Sequence, residues 1–276
     1  MTTRLPNPTW RERLPLWFID GLLIGLFMVS VGVFVPLFAS PQSPVARAIE
    51  SDLLRRGLIG ITMGLTAIAL IRSPFGARSG ALMNPAVTLS FLRLGRIRPL
   101  DAGGYIACQF AGALLGCLLI GALVGPPFTD DPVRSAPTVP GIWGVAGALA
   151  GEALIAFVMM TTVLFVSNTA RLARFTAFFA GGLVALYITL EAPLSGMGLN
   201  PARSLASAVP AGELGSVWVY FVAPVTGMLL AAELFARVRA LPAVHCCKLN
   251  HDHPGCCIHC GCDGPIDFSS HADDPR

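Results

Sequence analysis

Long apolar runs separated by short polar stretches dominate the chain. The first extends from about Leu16 to Ala39, and others follow at about Leu53–Ile71, Leu100–Val124, Ile142–Val166, Phe175–Leu190 and Leu214–Val238. A helix needs about 20 apolar residues to cross a bilayer, so this pattern predicts six spans. The basic lead Arg4, Arg11 and Arg13 gives the first run the outline of a secretory signal. Its length exceeds a signal core, it carries Asp20, and further spans follow, so it reads as a retained transmembrane helix. Two shorter apolar pieces begin near Asn84 and Asn200. At about ten residues each they cannot cross a membrane, and such pieces predict re-entrant elements, tolerated at membrane depth only where protein or water covers the backbone.

The short pieces belong to an internal repeat. Ser79-Gly80-Ala81-Leu82-Met83-Asn84-Pro85-Ala86 parallels Ser195-Gly196-Met197-Gly198-Leu199-Asn200-Pro201-Ala202. Gly112 follows Asn84 by 28 residues and Gly227 follows Asn200 by 27, and each half opens with one acid in an apolar helix, Asp20 or Glu152. One Asn-Pro-Ala is an ordinary turn signal; two in matched context are a duplication. Three spans separate equivalent points, so the second half is inverted relative to the first, the arrangement that places a site near the midplane. The expected fold is an all-α membrane protein of six transmembrane helices plus two re-entrant half-helices in an inverted repeat. The expected organisation is a cytoplasmic segment over 1–15, a channel domain over 16–240 with halves of about 16–125 and 141–240, and a cytoplasmic tail over 241–276.

Asn is a favoured N-cap and Pro a favoured first helical residue, so each Asn-Pro-Ala box reads as a helix start. In an inverted repeat the two starts meet in mid-membrane. Each brings about half a positive charge from the helix dipole, and Asn84 and Asn200 add amide donors. Such a spot hydrogen-bonds a passing water or hydroxyl and repels cations, the device known from aquaporin-type pores. Arg203, three residues into the second short helix, reads as a pore residue because an intramembrane charge defaults to function. Asp20 and Glu152 read as buried acceptors that hold the loop before each short helix.

Composition agrees. Only 13% of the 276 residues are charged and the mean hydropathy is +0.68, against about 25% charged in soluble domains, which leaves no room for a second soluble domain. A net charge of +3 gives no support to nucleic-acid binding. With the N-terminus inside, fourteen of the 19 basic residues fall on the cytoplasmic side and five outside, which places both termini in the cytoplasm by the positive-inside rule. Eighteen of those 19 are Arg, pointing to a bacterial protein of the inner, or plasma, membrane. The membrane part contains no nucleophile–base pair or phosphate-binding loop, so it does not read as an enzyme.

From about Phe18 to Val238 the chain resembles the aquaporin and glycerol-facilitator (major intrinsic protein) family. The resemblance rests on Ser79 to Ser90, Tyr105 to Gly116, Gly198 to Leu205 and Trp218 to Gly227. It implies a homotetramer in the lipid bilayer, each subunit passively conducting water or small neutral solutes. It also implies a selectivity ring in which Arg203 is the family's arginine. Ile188 stands where water-specific members keep His, Met63 where they usually keep Phe, and Met197 at the position set by a backbone carbonyl. The apolar ring suits glycerol or a metalloid such as arsenite. Ser204 follows Arg203, as in water channels, where glycerol-conducting members carry Asp. Water, glycerol and metalloid readings therefore stand together.

The tail has a different chemistry. His245, Cys246, Cys247, His251, His253, Cys256, Cys257, His259, Cys260 and Cys262 put ten soft or borderline ligands in 18 residues. In a reducing cytoplasm these point to metal rather than disulfides, with Zn or Cu(I) suited to thiolate and imidazole; conduction itself requires no cofactor. Sensing, gating and capture of a thiophilic solute are the roles open to it, beside a tail without function. A reading from another class is a metal-responsive membrane sensor. Cys108 and Cys117 lie in an apolar stretch and read as packed core thiols.

Overall fold

A computed structural model describes residues 8–238, 240–250 and 257–260. These form an all-helical fold, with no strand among the described residues. The first half contains α1 (Trp10–Ala39), α2 (Asp52–Arg72), the half-helix α3 (Pro85–Arg93) and α4 (Pro99–Val124). The second contains α5 (Gly144–Ser167), α6 (Thr176–Leu190), the half-helix α7 (Pro201–Ala211) and α8 (Val219–Arg237). Six helices, α6 counted with its preceding 3-10 turn, are long and apolar enough to cross a membrane.

Two ends differ from the expected spans. Helix α1 starts at Trp10, before the apolar run, because Glu12 and Thr9 form a capping box and Arg13 is buried in an ion pair with Asp101 at 2.6 Å. A buried charge is tolerated when paired, and hydropathy cannot see the pairing. The last helix starts at Val219, since Gly212 ends α7 and a turn runs up to Trp218.

Glycine sets how closely the long helices approach. A Cβ on Gly112 would overlap the carbonyl of Gly21, and one on Gly116 that of Gly25, which locks α1 against α4. A Cβ on Gly227 would likewise overlap the carbonyl of Ala153, joining α8 to α5, while Gly60, Gly64 and Gly181 form the seam between α2 and α6. Helices meet in membranes through such small residues because lipid provides no hydrophobic drive between them. The repeat is thus three-dimensional: Gly112 packs one residue past Asp20, and Gly227 one residue past Glu152. Large apolar side chains such as Phe18, Leu115 and Leu123 are exposed on the outside, as a lipid-facing surface requires.

Residues 240–250 do not hang from the bundle. Val244, Cys246, Cys247 and Leu249 are buried in its core. The peptide N–H of His245 donates to Asn168 Oδ1 at the end of α5, and Asn250 Nδ2 donates to the carbonyl of Ile71 in α2.

Candidate functional site

Each half-helix is reached through a loop that its own half holds from behind. Gly80 (φ 104°) and Gly196 (φ 89°) adopt the left-handed conformation that only glycine takes without strain. In the first loop the carboxylate of Asp20 accepts from Ser79 Oγ (3.2 Å), from the N–H groups of Leu82 and Met83 (both 2.9 Å) and from Gln109 Nε2 (2.7 Å). In the second, Glu152 accepts from Ser195 Oγ (2.8 Å) and from the N–H groups of Gly198 (2.5 Å) and Leu199 (2.7 Å). Tyr105 donates to the Ser79 carbonyl, and Tyr220 to the Ser195 carbonyl. Loop backbone with no helix or sheet to satisfy it finds its partners in these buried groups.

The loops deliver two helix starts to one place. Asn84 caps α3 by accepting from the Ala86 N–H (2.9 Å), and Asn200 caps α7 by accepting from the Ala202 N–H (3.0 Å) and the Arg203 N–H (3.4 Å). Each Asn then reaches across the repeat: Asn84 Nδ2 donates to the Leu199 carbonyl at 3.0 Å, and Asn200 Nδ2 to the Met83 carbonyl at 2.7 Å. An amide nitrogen has two hydrogens, so one on each Asn remains for the lumen. Pro85, Ala86, Pro201 and Ala202 are buried behind the asparagines and build the helix starts.

The asparagines line a cavity of about 300 Å³ between the two halves. Helix α2 contributes Met63 to its wall, α6 Ile188, the second loop Met197, and α7 Arg203. Arg203 Nη1 is buried with no hydrogen-bond partner among the described residues. A permanently charged side chain is thus held in the largely apolar wall of the cavity, with one of its donors unsatisfied.

The tail contributes to the same cavity. Leu249 is part of its lining, and the Leu249 N–H donates to the Gly80 carbonyl at 3.0 Å. Beside it, the sulfur atoms of Cys246, Cys247 and Cys257 lie within 4.8 Å of one another. Hydrogen bonds with Cys246, Cys247 and Cys260 pull the Cys257 thiol well below its ordinary range, whereas the other three thiols are pushed up. His259 packs near Tyr105 and has its Nδ1 3.8 Å from Asp101 Oδ2; burial lowers its pKa. His245 lies at the start of this segment, tied to Asn168 through its backbone. His251, His253, Cys256 and Cys262 lie outside the described residues.

Four contributors escaped the sequence reading. Tyr105 and Tyr220 stand seven residues before the paired glycines Gly112 and Gly227, a shared spacing that could have exposed them. Gln109 has no counterpart in the second half and left no such signal. Leu249 left none either, being one apolar residue in a run of ligands.

Comparison with known proteins agrees with this architecture. The sequence profile of the family described as "Major intrinsic protein" matches residues 23–235. The chain is 37% identical over 205 residues to "Glycerol uptake facilitator protein-like 6" of Lactiplantibacillus plantarum, which covers 73% of this chain and 92% of that protein. It is 33% identical over 213 residues to "Aquaporin NIP1-2" of Oryza sativa, covering 76% and 69% of the two chains. The X-ray structure of the aquaglyceroporin from Plasmodium falciparum superposes with a TM-score of 0.64 at 17% identity, over 83% of this chain and 97% of that one; that likeness shows the fold.

Proposed function

This chain belongs to the major intrinsic protein family, the membrane channels for water, glycerol and other small solutes, and we propose that its cavity passes both water and neutral solutes of glycerol size. The observation that carries the reading is the wall formed by Met63, Ile188 and Met197 beside Arg203, whose Nη1 lacks a partner. Arg203 donates to one hydroxyl of a polyol while the three apolar side chains take its carbon face. A His in place of Ile188 would compete for that hydroxyl; Ile does not. The likeness to a glycerol uptake facilitator supports the same choice.

Farther in, the free amide hydrogens of Asn84 and Asn200 and the positive ends of α3 and α7 meet the solute oxygen. Water that accepts from both asparagines turns its own hydrogens away from the junction, which interrupts a proton wire, and the positive field repels cations. In this reading Asp20 and Glu152 take no part in conduction and keep the loops in place. We place both termini in the cytoplasm, the chain in a bacterial inner membrane, and four such subunits side by side, each with its own pore. Undissociated arsenite, a neutral trihydroxy solute, fits the same wall, and the thiols of the tail make it the next solute to assay.

The test is light scattering from vesicles containing the protein after mixing with a glycerol gradient. Fast shrinkage followed by fast reswelling is expected. Fast shrinkage without reswelling would return the pore to a water-only filter, with Ser204 the better guide.

A further inference from the structure

The tail brings together two features that conduction does not use. Leu249 is buried in the wall of the pore cavity, and its N–H is tied to the Gly80 carbonyl in the loop that leads to Asn84. Next to it, buried thiols from two separate stretches, Cys246-Cys247 and Cys257, converge within 4.8 Å, and Cys260 adjoins Cys246 and Cys257.

Packing alone does not account for four thiols in one spot. Among the described residues none of the four forms a disulfide. A tetrahedral site with Zn–S of about 2.3 Å has S···S edges of about 3.8 Å, so Cys246, Cys247 and Cys257, within 4.8 Å of one another, are a small adjustment from closing on an ion, with Cys260 beside them as the fourth ligand. Four sulfurs match the closed donor set of a structural zinc site. Leu249 lies between the two thiol pairs in sequence. An ion bound by all four closes the segment that carries it into a loop and lowers the entropic cost of keeping that residue in the pore.

We propose that Cys246, Cys247, Cys257 and Cys260 bind Zn(II) as a tetrathiolate site, and that the occupied site holds Leu249 as a plug in the mouth of the pore beside Gly80. Zinc then closes the channel, and its loss lets residues 244–250 leave the cavity. The proposal rests on the channel reading above.

The full-length protein in vesicles gives the test, with glycerol reswelling measured at saturating zinc and after stripping by a zinc chelator, and zinc content measured on the same samples. A single tightly held zinc per chain is expected, with reswelling faster by about tenfold or more once it is removed, the flux following the fraction of chains whose plug is out. C246S/C257S should lose the zinc and conduct whether or not zinc is added. L249A should keep the zinc and conduct in its presence, which separates a plug from a general effect on folding. Zinc binding with identical flux in its presence and absence would overturn the gate and leave the channel reading intact. Failure of the intact chain to bind zinc would overturn the site. No flux under any condition, with L249A and chelator included, would remove the channel reading and the gate with it.

Discussion

The two inverted halves share one scaffold, and they differ in how fully its polar groups are satisfied. In the first half Asp20 has four donors, and Thr88 Oγ1 both donates to the Asn84 carbonyl (3.0 Å) and accepts from Gln109 Nε2 (3.0 Å). In the second half Pro224 stands where Gln109 would be, three residues before the paired glycine, so Glu152 has three donors. Among the described residues, the buried hydroxyl of Ser204, equivalent to Thr88, has no hydrogen-bond partner, and neither has Arg203 Nη1. Around its half-helix the first half pairs these groups; the second leaves the Ser204 hydroxyl and one Arg203 donor unsatisfied. Local rules of satisfaction tend to break where a protein keeps a site, and the break here lies in the half that carries Arg203.

The covers of the two loops differ as well. Over the second loop the chain between the halves is bonded directly, Gly141 N–H to the Leu194 carbonyl and Ile142 N–H to the Pro193 carbonyl, both at 3.1 Å. Over the first loop the cover is the tail, joined by Leu249 to Gly80 and flanked by thiols. One cover is built into the middle of the chain, and the other comes from its end.

The largest effect expected from this comparison is on stability. Asp20→Ala strands the Leu82 and Met83 N–H groups, the Ser79 hydroxyl and one hydrogen of Gln109 Nε2; buried donors without partners cost about 1–3 kcal/mol each, so a loss of at least about 4 kcal/mol is expected. Glu152→Ala strands one group fewer and should cost about 1 kcal/mol less. Denaturation of the purified protein in detergent measures both. Equal losses would mean that Gln109 adds nothing and that the halves are equivalent in energy as well as in outline.

Much of this was legible in the chain. The Asn-Pro-Ala boxes, the acids Asp20 and Glu152 and the two glycines are repeated at matched spacing, and a repeat is visible without knowing what it packs against. Asp20 and Glu152 stand out because a charge in an apolar run has few reasons to exist. Met63, Ile188 and Met197 could be named only through the family resemblance, since an apolar residue in an apolar helix says nothing about facing a lumen. Gln109 and Thr88 were hidden because their meaning is a contact across helices. The entry of Leu249 into the cavity was hidden most deeply, as tertiary burial of a tail leaves no periodicity.

A middle-sized effect concerns the open half. Ile188→His places a second donor near Arg203, which should favour water over a polyol and lower glycerol permeability about tenfold, equivalent to ~1.4 kcal/mol at the barrier. Water permeability should change much less. Stopped-flow light scattering with matched protein density reads both rates, and an equal fall in the two would assign Ile188 to packing instead of selection.

The smallest effect is the most discriminating for the contrast between halves, because it compares two hydroxyls at equivalent positions. Thr88→Val keeps the shape of the side chain and removes an oxygen that two other groups use. The Asn84 carbonyl loses its donor and Gln109 loses an acceptor, so a cost of about 1–2 kcal/mol is expected. Ser204→Ala removes an oxygen that is already buried and without a partner. The folded state has lost that group's hydration without compensation, so its removal should be neutral or stabilise by up to about 1 kcal/mol. The two substitutions therefore differ in sign or nearly so, and melting of the purified variants resolves the difference. If Ser204→Ala were as costly as Thr88→Val, the second half would be satisfied as fully as the first, and the open polar capacity around Arg203 would need another explanation.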